Sequence, residues 1–369
     1  MIRFLYTIGL LFIALILLCI GFIVWLNTSS PSYVWKKVKQ EDMQSSIVFN
    51  ENGERKLAIR AEELMSLAST VKIVVAIEYA FQVEEGQIQT EEKVSLSELE
   101  KYYIPNLDGG AHQNWLQYIE EQGIIHNDQV SLREVARGMI GFSSNANTEF
   151  LMNKLGIEQI EQRMNDLEIR DHSSLFYFTS ALFIPYEIKE KYFPNNTVKE
   201  AKDEIIQEMR NMNEEEWIKL STNIHEKLTE EEDYKHAVNI REWWNQEFDL
   251  LFSETFIEST TSEYAKIMKK INDQEFPSIA QQELEYVLGM LMENEANRNW
   301  LERAGKKGGS TQYILTDALF AEDKDGNKYE LVIFFNQLKW YEGYKLMKSL
   351  NEFELKLLSD ERFRKELID

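Results

Sequence analysis

The sequence predicts an α/β domain of the α+β type, in which strands from both ends of the chain surround a helical middle. Residues 46–50 and 56–59 are short strand-like runs, and the Asn52-Gly53 pair between them is typical of a tight hairpin turn. Residues 312–321 and 329–335 form a second strand-like pair around a turn at 323–327. Between the two hairpins, apolar residues recur mostly at helical spacing.

An apolar run precedes the domain. Residues 4–26 are apolar or small apart from Tyr6 and Thr7, and the run is longer than the hydrophobic stretch of a cleaved signal peptide. Cys19 follows two leucines instead of the small residues of a lipoprotein cleavage site, so no lipid is expected on it. We expect a single-pass transmembrane signal anchor over 1–28, a linker over 29–45 and a folded domain over 46–369.

The charges beside this run do not fix its orientation. Arg3 lies on one side, while Lys36, Lys37 and Lys39 lie on the other, which mildly favours a domain inside the cell. Large domains are translocated largely regardless of such counts. The chemistry described below therefore decides, and we expect a cell-membrane protein with its domain on the extracytoplasmic side.

Composition excludes several classes of function. A net charge of −23 over 369 residues, without basic clusters, argues against a nucleic-acid partner and against adsorption to anionic lipid. The single cysteine permits no disulfide within the chain, and the five histidines show no metal-ligand spacing. We expect neither a metal nor another cofactor.

The first candidate catalytic pair is Ser69 and Lys72. Apolar residues at 71, 74, 75 and 79 predict a buried helix that begins at Ser69 and carries Lys72 one turn inside it. A serine hydroxyl needs a neighbouring base, and a desolvated lysine is neutral enough to serve as one. From these residues alone, a helix cap beside a surface lysine remains an alternative.

The second candidate segment is a junction between two predicted helices. A helix that begins with the capping-box pattern S-L-R-E at 131–134 runs into 141–145, and another helix follows over 146–155. Ser143, Ser144 and Asn145 at this junction are caps if taken alone. Placed near Ser69, they would supply a proton relay and an amide that holds a peptide-like substrate.

The third candidate segment reads A-G-K-K-G-G-S-T at 304–311. Glycines at the edge of a strand let a substrate backbone approach closely, and Lys307 beside them offers a fixed positive charge for a carboxylate. An ordinary glycine-rich loop before a hairpin is the alternative.

A charged helical insert is predicted at about 189–250, with apolar residues at 217, 220, 224 and 228 on one helix face. Its charges are most simply a solvated face, and docking of a cell-envelope partner is the alternative. The loop 106–110 is expected to flank a cleft. Further helices are predicted over 260–271, 280–292 and 340–358.

Three short motifs occur in the order found in the penicillin-recognising serine enzymes, the β-lactamase and D,D-peptidase superfamily. They are Ser69-x-x-Lys72, Ser143-x-Asn145 and Lys307-x-Gly309. Together with the flanking hairpins and Thr260-Thr261, they resemble the class A β-lactamase-like branch most closely. The resemblance implies a five-stranded antiparallel sheet flanked by helices, plus an all-helical lobe that carries Ser143.

The same resemblance implies β-lactams or D-Ala-D-Ala-type peptides as substrates and a role for each motif residue. Ser69 would be the acylated nucleophile, Lys72 its base and Ser143 the proton shuttle. Asn145 would bind the substrate amide, and Lys307 and Gly309 with Ser310 or Thr311 would bind the substrate carboxylate. The backbone N–H groups of Ser69 and Ser310 would form the oxyanion hole.

The sequence departs from the class A pattern in three places. Ser144 replaces the usual aspartate, Gly308 replaces threonine or serine, and no Glu-x-x-x-Asn occurs between 166 and 186, where class A enzymes carry the glutamate that activates the deacylating water. We therefore expect slow release of a penicillin. Two alternatives stay open: an esterase or amidase on the same scaffold, and a cell-envelope binding module with little catalysis.

Overall fold

The chain folds around a sheet whose five strands come from both ends of the sequence. The structure is a computed structural model that describes residues 2–105, 107–231 and 233–368. The four remaining residues lie outside the described ones: Met1 of the predicted anchor, Asn106 of the predicted cleft loop, Glu232 of the predicted insert and Asp369 at the end of the predicted domain. The strands are β1 (Ser45–Glu51), β2 (Glu54–Ile59), β3 (Met65–Ser66), β4 (Lys93–Ser95), β5 (Gln129–Ser131), β6 (Glu258–Ser259), β7 (Leu301–Ser310), β8 (Leu315–Asp323) and β9 (Lys328–Phe335). The main sheet has the order β2-β1-β9-β8-β7, and all its neighbouring strands are antiparallel.

Both predicted hairpins are confirmed. Asn52 and Gly53 have φ angles of 54° and 79°, the left-handed geometry that a two-residue turn between β1 and β2 requires. The glycine-rich segment at 304–311 belongs almost entirely to β7, so the alternative of an ordinary loop is wrong. The predicted strand over 312–321 begins later, at Leu315, because the backbone N–H of Thr311 closes a turn on the Ile314 carbonyl at 3.0 Å.

Helices cover both faces of the sheet. They are α1 (Ile2–Asn27), α2 (Pro31–Val38), α3 (Lys72–Glu84), α4 (Leu96–Glu100), α5 (Ala111–Glu121), α6 (Leu132–Arg137), α7 (Asn145–Leu155), α8 (Ile157–Asp166), α9 (Phe178–Ala181), α10 (Ile184–Tyr192), α11 (Lys202–Asn211), α12 (Glu214–Glu230), α13 (Tyr234–Val238), α14 (Gln246–Glu254), α15 (Thr261–Asn272), α16 (Ser278–Leu288), α17 (Glu295–Arg298), α18 (Trp340–Ser359) and α19 (Glu361–Ile368). The structure therefore has the predicted sheet, flanking helices and helical lobe.

Two apolar clusters lie on opposite faces of the sheet. Ile47 and Phe49 of β1 pack with α2 and α18, whereas Val48 between them packs with the cluster that contains α3, α15 and the helical lobe. This alternation follows from the period of two in a strand, which sends successive side chains to opposite faces. The larger cluster is the one that supports the Ser69 turn.

The predicted linker over 29–45 is wrong for much of its length, because residues 31–38 form α2. Pro31 stands in the first turn, where a helix tolerates the missing N–H, and Val34 and Val38 are fully buried. Lys37 is also buried and forms an ion pair of 2.6 Å with Glu342 of α18. The folded part thus begins directly after α1.

Within the described part of the chain, α1 is the one helix that is long and apolar enough to cross a membrane, over residues 10–27. A signal sequence near the amino terminus meets the same criterion of length and composition. The predicted insert at about 189–250 lies within α10–α14. Its apolar face, with Trp217, Ile224 and Leu228, is buried in the helical lobe.

Candidate active site

Ser69 lies on a strained turn at the start of a buried helix. The 3-10 turn Ala68–Val71 leads directly into α3, and Ala68 has a left-handed φ of 45°, a conformation that costs a residue with a side chain about 1–3 kcal/mol. Ser69 is partly exposed in a cleft, and among the described residues its hydroxyl has no hydrogen-bond partner. The fold thus presents a free hydroxyl at a helix N-terminus, where developing negative charge is favoured.

Lys72 is fully buried and is the first residue of α3. Its Nζ donates hydrogen bonds to the Ser143 carbonyl at 2.7 Å, to Asn145 Oδ1 at 2.8 Å and to Ser143 Oγ at 3.3 Å. Burial, and secondly the positive charge of Lys307, hold the pKa of Lys72 well below its usual value. The alternative of a surface lysine is wrong, although within the described residues Lys72 forms no hydrogen bond to Ser69.

Ser143 occupies an unusual backbone position. It follows a π-helical turn, Gly138–Phe142, and has a left-handed φ of 68°. This geometry sends its carbonyl and hydroxyl towards Lys72 while the chain enters α7. Strain of this kind persists in proteins where the surroundings hold it, and it concentrates at functional sites.

Ser144 has a structural role next to Ser143. It is buried, and its hydroxyl caps α7 by accepting the Asn147 backbone N–H at 3.2 Å. His112 Nδ1 lies 2.8 Å from the same hydroxyl, and burial lowers the pKa of His112 to about 4, so the ring is neutral near pH 7. Ser143 and Asn145 face the site, whereas the residue between them does not.

The two adjacent lysines of β7 point to opposite faces of the sheet. Lys307 Nζ donates to Ser143 Oγ at 3.1 Å, and burial lowers the pKa of Lys307 to about 8. Lys306 instead forms ion pairs of 2.8 Å with Asp317 and 2.5 Å with Glu354 of α18. Lys307 is therefore the lysine of this pair that contacts Ser143, whereas Lys306 lines the cleft in its ion pairs.

Gly309 permits β7 to touch the turn that carries Ser69. A Cβ built on Gly309 would lie 2.5 Å from the Ser69 backbone nitrogen, 2.7 Å from Thr316 Oγ1 and 2.8 Å from the Leu67 carbonyl oxygen. Thr316, which sequence reasoning missed, also fastens β8 to this turn through contacts of 2.8 Å to the Leu67 carbonyl and 2.7 Å to Thr70 Oγ1. No local pattern marks Thr316, because its partners are about 250 residues away.

This site lies within a region that matches a known family. Residues 33–352 match the model of the beta-lactamase enzyme family, Beta-lactamase2. The chain belongs to the beta-lactamase enzyme family. The suspected superfamily and fold are thereby confirmed, and the protein is a serine hydrolase of the β-lactamase type.

Solved structures of this β-lactamase fold align with nearly the whole chain. A β-lactamase from Chitinophaga pinensis is 14% identical, covers 88% of this chain and 98% of its own, and has a TM-score of 0.51. A class A β-lactamase from Bacteroides cellulosilyticus is 14% identical, with coverages of 91% and 100% and a TM-score of 0.51. PBP-A in an acyl-enzyme complex with penicillin G is 13% identical, with coverages of 89% and 95% and a TM-score of 0.50. At these identities the likeness concerns the fold alone, and no curated protein sequence matches the chain.

In this β-lactamase-family enzyme the two alternatives for the end of β7 differ in their surroundings. Ser310 is exposed in the cleft, and its hydroxyl has no hydrogen-bond partner among the described residues. The Thr311 hydroxyl lies 2.9 Å from Ser253 Oγ and accepts the backbone N–H groups of Tyr313 and Ile314 at 3.1 Å each. Thr311 thus holds a turn together, and Ser310 is the freer group.

The cleft has a volume of about 720 Å³ and extends beyond the three motifs. Residues 107–109 line it, which confirms the predicted flanking loop, and Asn106 of that loop lies outside the described residues. Sequence reasoning missed a second part of the lining, which is aromatic. The Phe178 ring centroid lies 5.9 Å from Lys72 Nζ, and Phe176, Trp244 and Phe252 also line the cleft.

Segment 166–186 contributes no carboxylate to the described cleft lining. Glu168 is exposed, and its carboxylate lies 4.0 Å from Arg170 at the surface. The part of the segment that reaches Lys72 is Phe178. The lack of a Glu-x-x-x-Asn sequence in this segment is therefore matched in the structure by the lack of a carboxylate from it in the described cleft lining. An apolar ring lies beside Lys72 on the side formed by this segment.

A buried carboxylate that the sequence did not mark fixes this segment. Glu149 of α7 has no solvent exposure, and its carboxylate accepts the backbone N–H groups of Ser180 at 3.1 Å and Thr179 at 3.3 Å. His225 Nδ1 of α12 lies 3.3 Å from the same carboxylate. Glu149 thereby joins α7, α9 and the insert into one supporting unit behind Phe178.

Proposed function

We propose that this β-lactamase-family hydrolase is a membrane-anchored, extracytoplasmic enzyme that forms an acyl-enzyme on Ser69 with β-lactams or D-Ala-D-Ala-type peptides. The observation that carries the proposal is the position of Lys72, a buried lysine of lowered pKa that hydrogen-bonds Ser143 and Asn145, which both line the cleft. A neutral amine there is able to accept a proton from a serine. For penicillin, we further propose that the acyl group is released only slowly from Ser69.

In the acylation step, Ser69 Oγ attacks the substrate carbonyl carbon and its proton passes to Lys72 Nζ. Catalytic hydrogen bonds often shorten only when substrate binds, so the present Lys72 contacts are compatible with this transfer. The carbonyl oxygen gains negative charge, which the backbone N–H groups of Ser69 and Ser310 would stabilise. The C–N bond then breaks, and the leaving nitrogen takes a proton through Ser143 Oγ.

Substrate placement follows from the groups around Ser143. Lys307 Nζ lies 3.1 Å from the Ser143 hydroxyl, so a substrate carboxylate paired with Lys307 would bring the leaving nitrogen close to the proton shuttle. Asn145 Oδ1 lies 2.8 Å from Lys72 Nζ, and its side-chain amide would hold the substrate amide. Gly309 leaves the edge of β7 open to an extended substrate backbone.

Slow release of penicillin is proposed because water needs a base near the ester carbonyl. The segment that provides a glutamate in class A enzymes places Phe178 beside Lys72 here, and the ring offers no proton acceptor. A related fold, PBP-A, has been captured as an acyl-enzyme complex with penicillin G. A peptide product would leave more readily, because its departing amine vacates space for water, whereas an opened β-lactam keeps its leaving group attached.

Intact-mass analysis of the full-length chain after exposure to penicillin G tests this function. We expect a mass increase of one penicillin that persists after the free drug is removed. The increase should be absent in Ser69→Ala and unchanged in Ser97→Ala, a matched control at an exposed serine outside the site. Rapid multiple turnover without an adduct would contradict slow release. Turnover of an ester reporter without any penicillin adduct would favour the esterase alternative, and no reaction with either would favour a binding module.

Membrane anchorage is proposed from the way the folded domain holds the end of α1. Lys345 Nζ of α18 donates to the carbonyls of Trp25 and Thr28, and Tyr344 OH lies 2.9 Å from Asn27 Oδ1. A signal sequence that is cleaved has no need of such contacts. Of the lysines that follow α1, Lys37 is neutralised by its ion pair, which weakens the charge argument for a cytoplasmic domain.

Two measurements test the placement. The intact mass of the mature protein should include α1, whereas loss of the first residues would identify a cleaved signal sequence. Protease added to intact cells should digest the domain, and complete protection would contradict an extracytoplasmic location.

A further inference from the structure

The chain that surrounds α14 builds one wall of the cleft. Five of its residues line the cleft beside the three motifs. One is Ser253, and we call the other four the α14 wall: Trp244, Asp249, Phe252 and Phe256. The charged sequence of the insert gives no sign of this contribution to the cleft. Its acidic residues are mostly exposed, while most of its aromatic residues are buried.

Aromatic contacts connect the α14 wall to the catalytic groups. Phe256 lies 5.4 Å from Phe178, the ring beside Lys72, and Phe252 lies 5.2 Å from Trp244, as measured between ring centroids. Packed aromatic rings of this kind are rigid and bury large apolar areas. A substrate group that enters between the wall and β7 therefore meets a fixed apolar surface.

A hydrogen bond fixes the wall to the end of β7. Ser253 Oγ of α14 lies 2.9 Å from Thr311 Oγ1. Thr311 stands four residues beyond Lys307, roughly 13 Å along an extended strand. The α14 wall thus lies beyond Lys307 along β7, beside Ser310 and Thr311.

Asp249 is the charged member of the wall. It lies one helical turn before Ser253 and is only partly exposed, and among the described residues its carboxylate has no hydrogen bond and no ion pair. Its neighbour Glu247 is instead paired with Lys202 at 2.6 Å, outside the cleft. Burial without a compensating partner raises the pKa of Asp249. A partly buried carboxylate is stabilised in its charged form when a cation lies beside it.

We propose that the α14 wall is a subsite for an acyl-side substituent with an apolar stem and a terminal ammonium group, such as the side chain of a lysine-type residue. The stem would lie against Trp244 and Phe252, and the ammonium group would pair with Asp249 and lie near the faces of the rings. This inference rests on the proposed function, because it assumes that the acyl group of the substrate extends along β7 towards Thr311.

Two peptides that differ only in charge test the subsite. They are Nα-acetyl-L-Lys-D-Ala-D-Ala with a free ε-ammonium group and the same peptide acetylated on the ε-nitrogen. Their dissociation constants are measured by calorimetry on the full-length chain in detergent, in the Ser69→Ala background, so that neither peptide is turned over. We expect the free amine to bind about five- to tenfold more tightly.

Asp249→Asn, which preserves the shape of the side chain, should abolish this preference and leave the affinity for the acetylated peptide unchanged. Glu254→Gln, at the exposed end of the same helix, removes the same charge outside the cleft and should keep the preference. Equal affinities for the two peptides, no binding of either, or an undiminished preference in Asp249→Asn would overturn the proposal. Because binding is measured without acylation, these outcomes are independent of whether penicillin labels Ser69.

Discussion

Replacement of Gly309 by alanine tests how closely the β7 edge and the Ser69 turn must approach. The added Cβ would lie 2.5–2.8 Å from two backbone atoms and Thr316 Oγ1, whereas carbon atoms in contact are about 3.5 Å from their neighbours. Backbone atoms cannot rotate away as the end of a side chain can. We therefore expect β7 and the Ser69 turn to separate by about 0.7–1 Å.

A displacement of this size is large for catalysis and modest for stability. Misplacement of reacting groups by 1 Å costs about a hundredfold in rate, which corresponds to about 2.7 kcal/mol of transition-state stabilisation. Overpacking by one methyl group destabilises a fold by about 1–3 kcal/mol, less than the total stability of an ordinary domain. Gly309→Ala should therefore remain folded and acylate on the order of a hundredfold more slowly.

The assay is the rate of penicillin adduct formation by intact mass, read beside the thermal unfolding midpoint. Gly308→Ala is the matched control, because its Cβ would meet its nearest neighbour, Asp317 Oδ2, only at 3.3 Å. This variant should acylate at close to the normal rate. A folded Gly309→Ala protein that acylates normally would refute the reasoning that the contact between β7 and Ser69 sets the geometry of attack.

Three further predictions concern the groups around Ser69. Lys72→Ala should slow acylation by on the order of a hundredfold or more while the fold survives, as expected for loss of a general base; an unchanged adduct rate at a normal unfolding midpoint would transfer the role to Ser143. Acylation should increase with pH through the lowered pKa of Lys72, because the neutral amine is the base, and should decrease above about pH 8 as Lys307 loses the proton that pairs with the substrate carboxylate. Lys307→Arg should abolish the alkaline decrease, and a decrease that persists in this variant would assign it to another group. Phe178→Ala should admit water beside Lys72 and shorten the lifetime of the penicillin adduct by on the order of tenfold, whereas an unchanged lifetime in the folded variant would mean that the ring does not limit release.

The sequence alone predicted the features whose physical signals are local. The Asn52-Gly53 turn, the helix that follows Ser69 and the amphipathic faces of the later helices depend on residues within a few positions of each other, and the structure has them close to the predicted bounds. The order of the three motifs was also sufficient to predict the family, because each motif is short and continuous. The prediction of a linker over 29–45 failed although the signal for a helix was local. Val34 and Val38 have helical spacing, but the polar residues at the start of the segment favoured a linker.

The tertiary structure decided every feature that depends on contacts between distant segments. It separated Lys306 from Lys307 through Glu354 on the far face of the sheet, it engaged Thr311 with Ser253, and it placed an aromatic ring beside Lys72. None of these has a local signature, because a residue's burial and charge environment are set by partners that the fold brings from elsewhere in the chain. The same physical cause applies to Asp249, whose carboxylate looks like an ordinary surface charge in the sequence. Only the packing of α14 against the end of β7 makes it a partly buried group, with no hydrogen bond or ion pair to any residue that the structure describes.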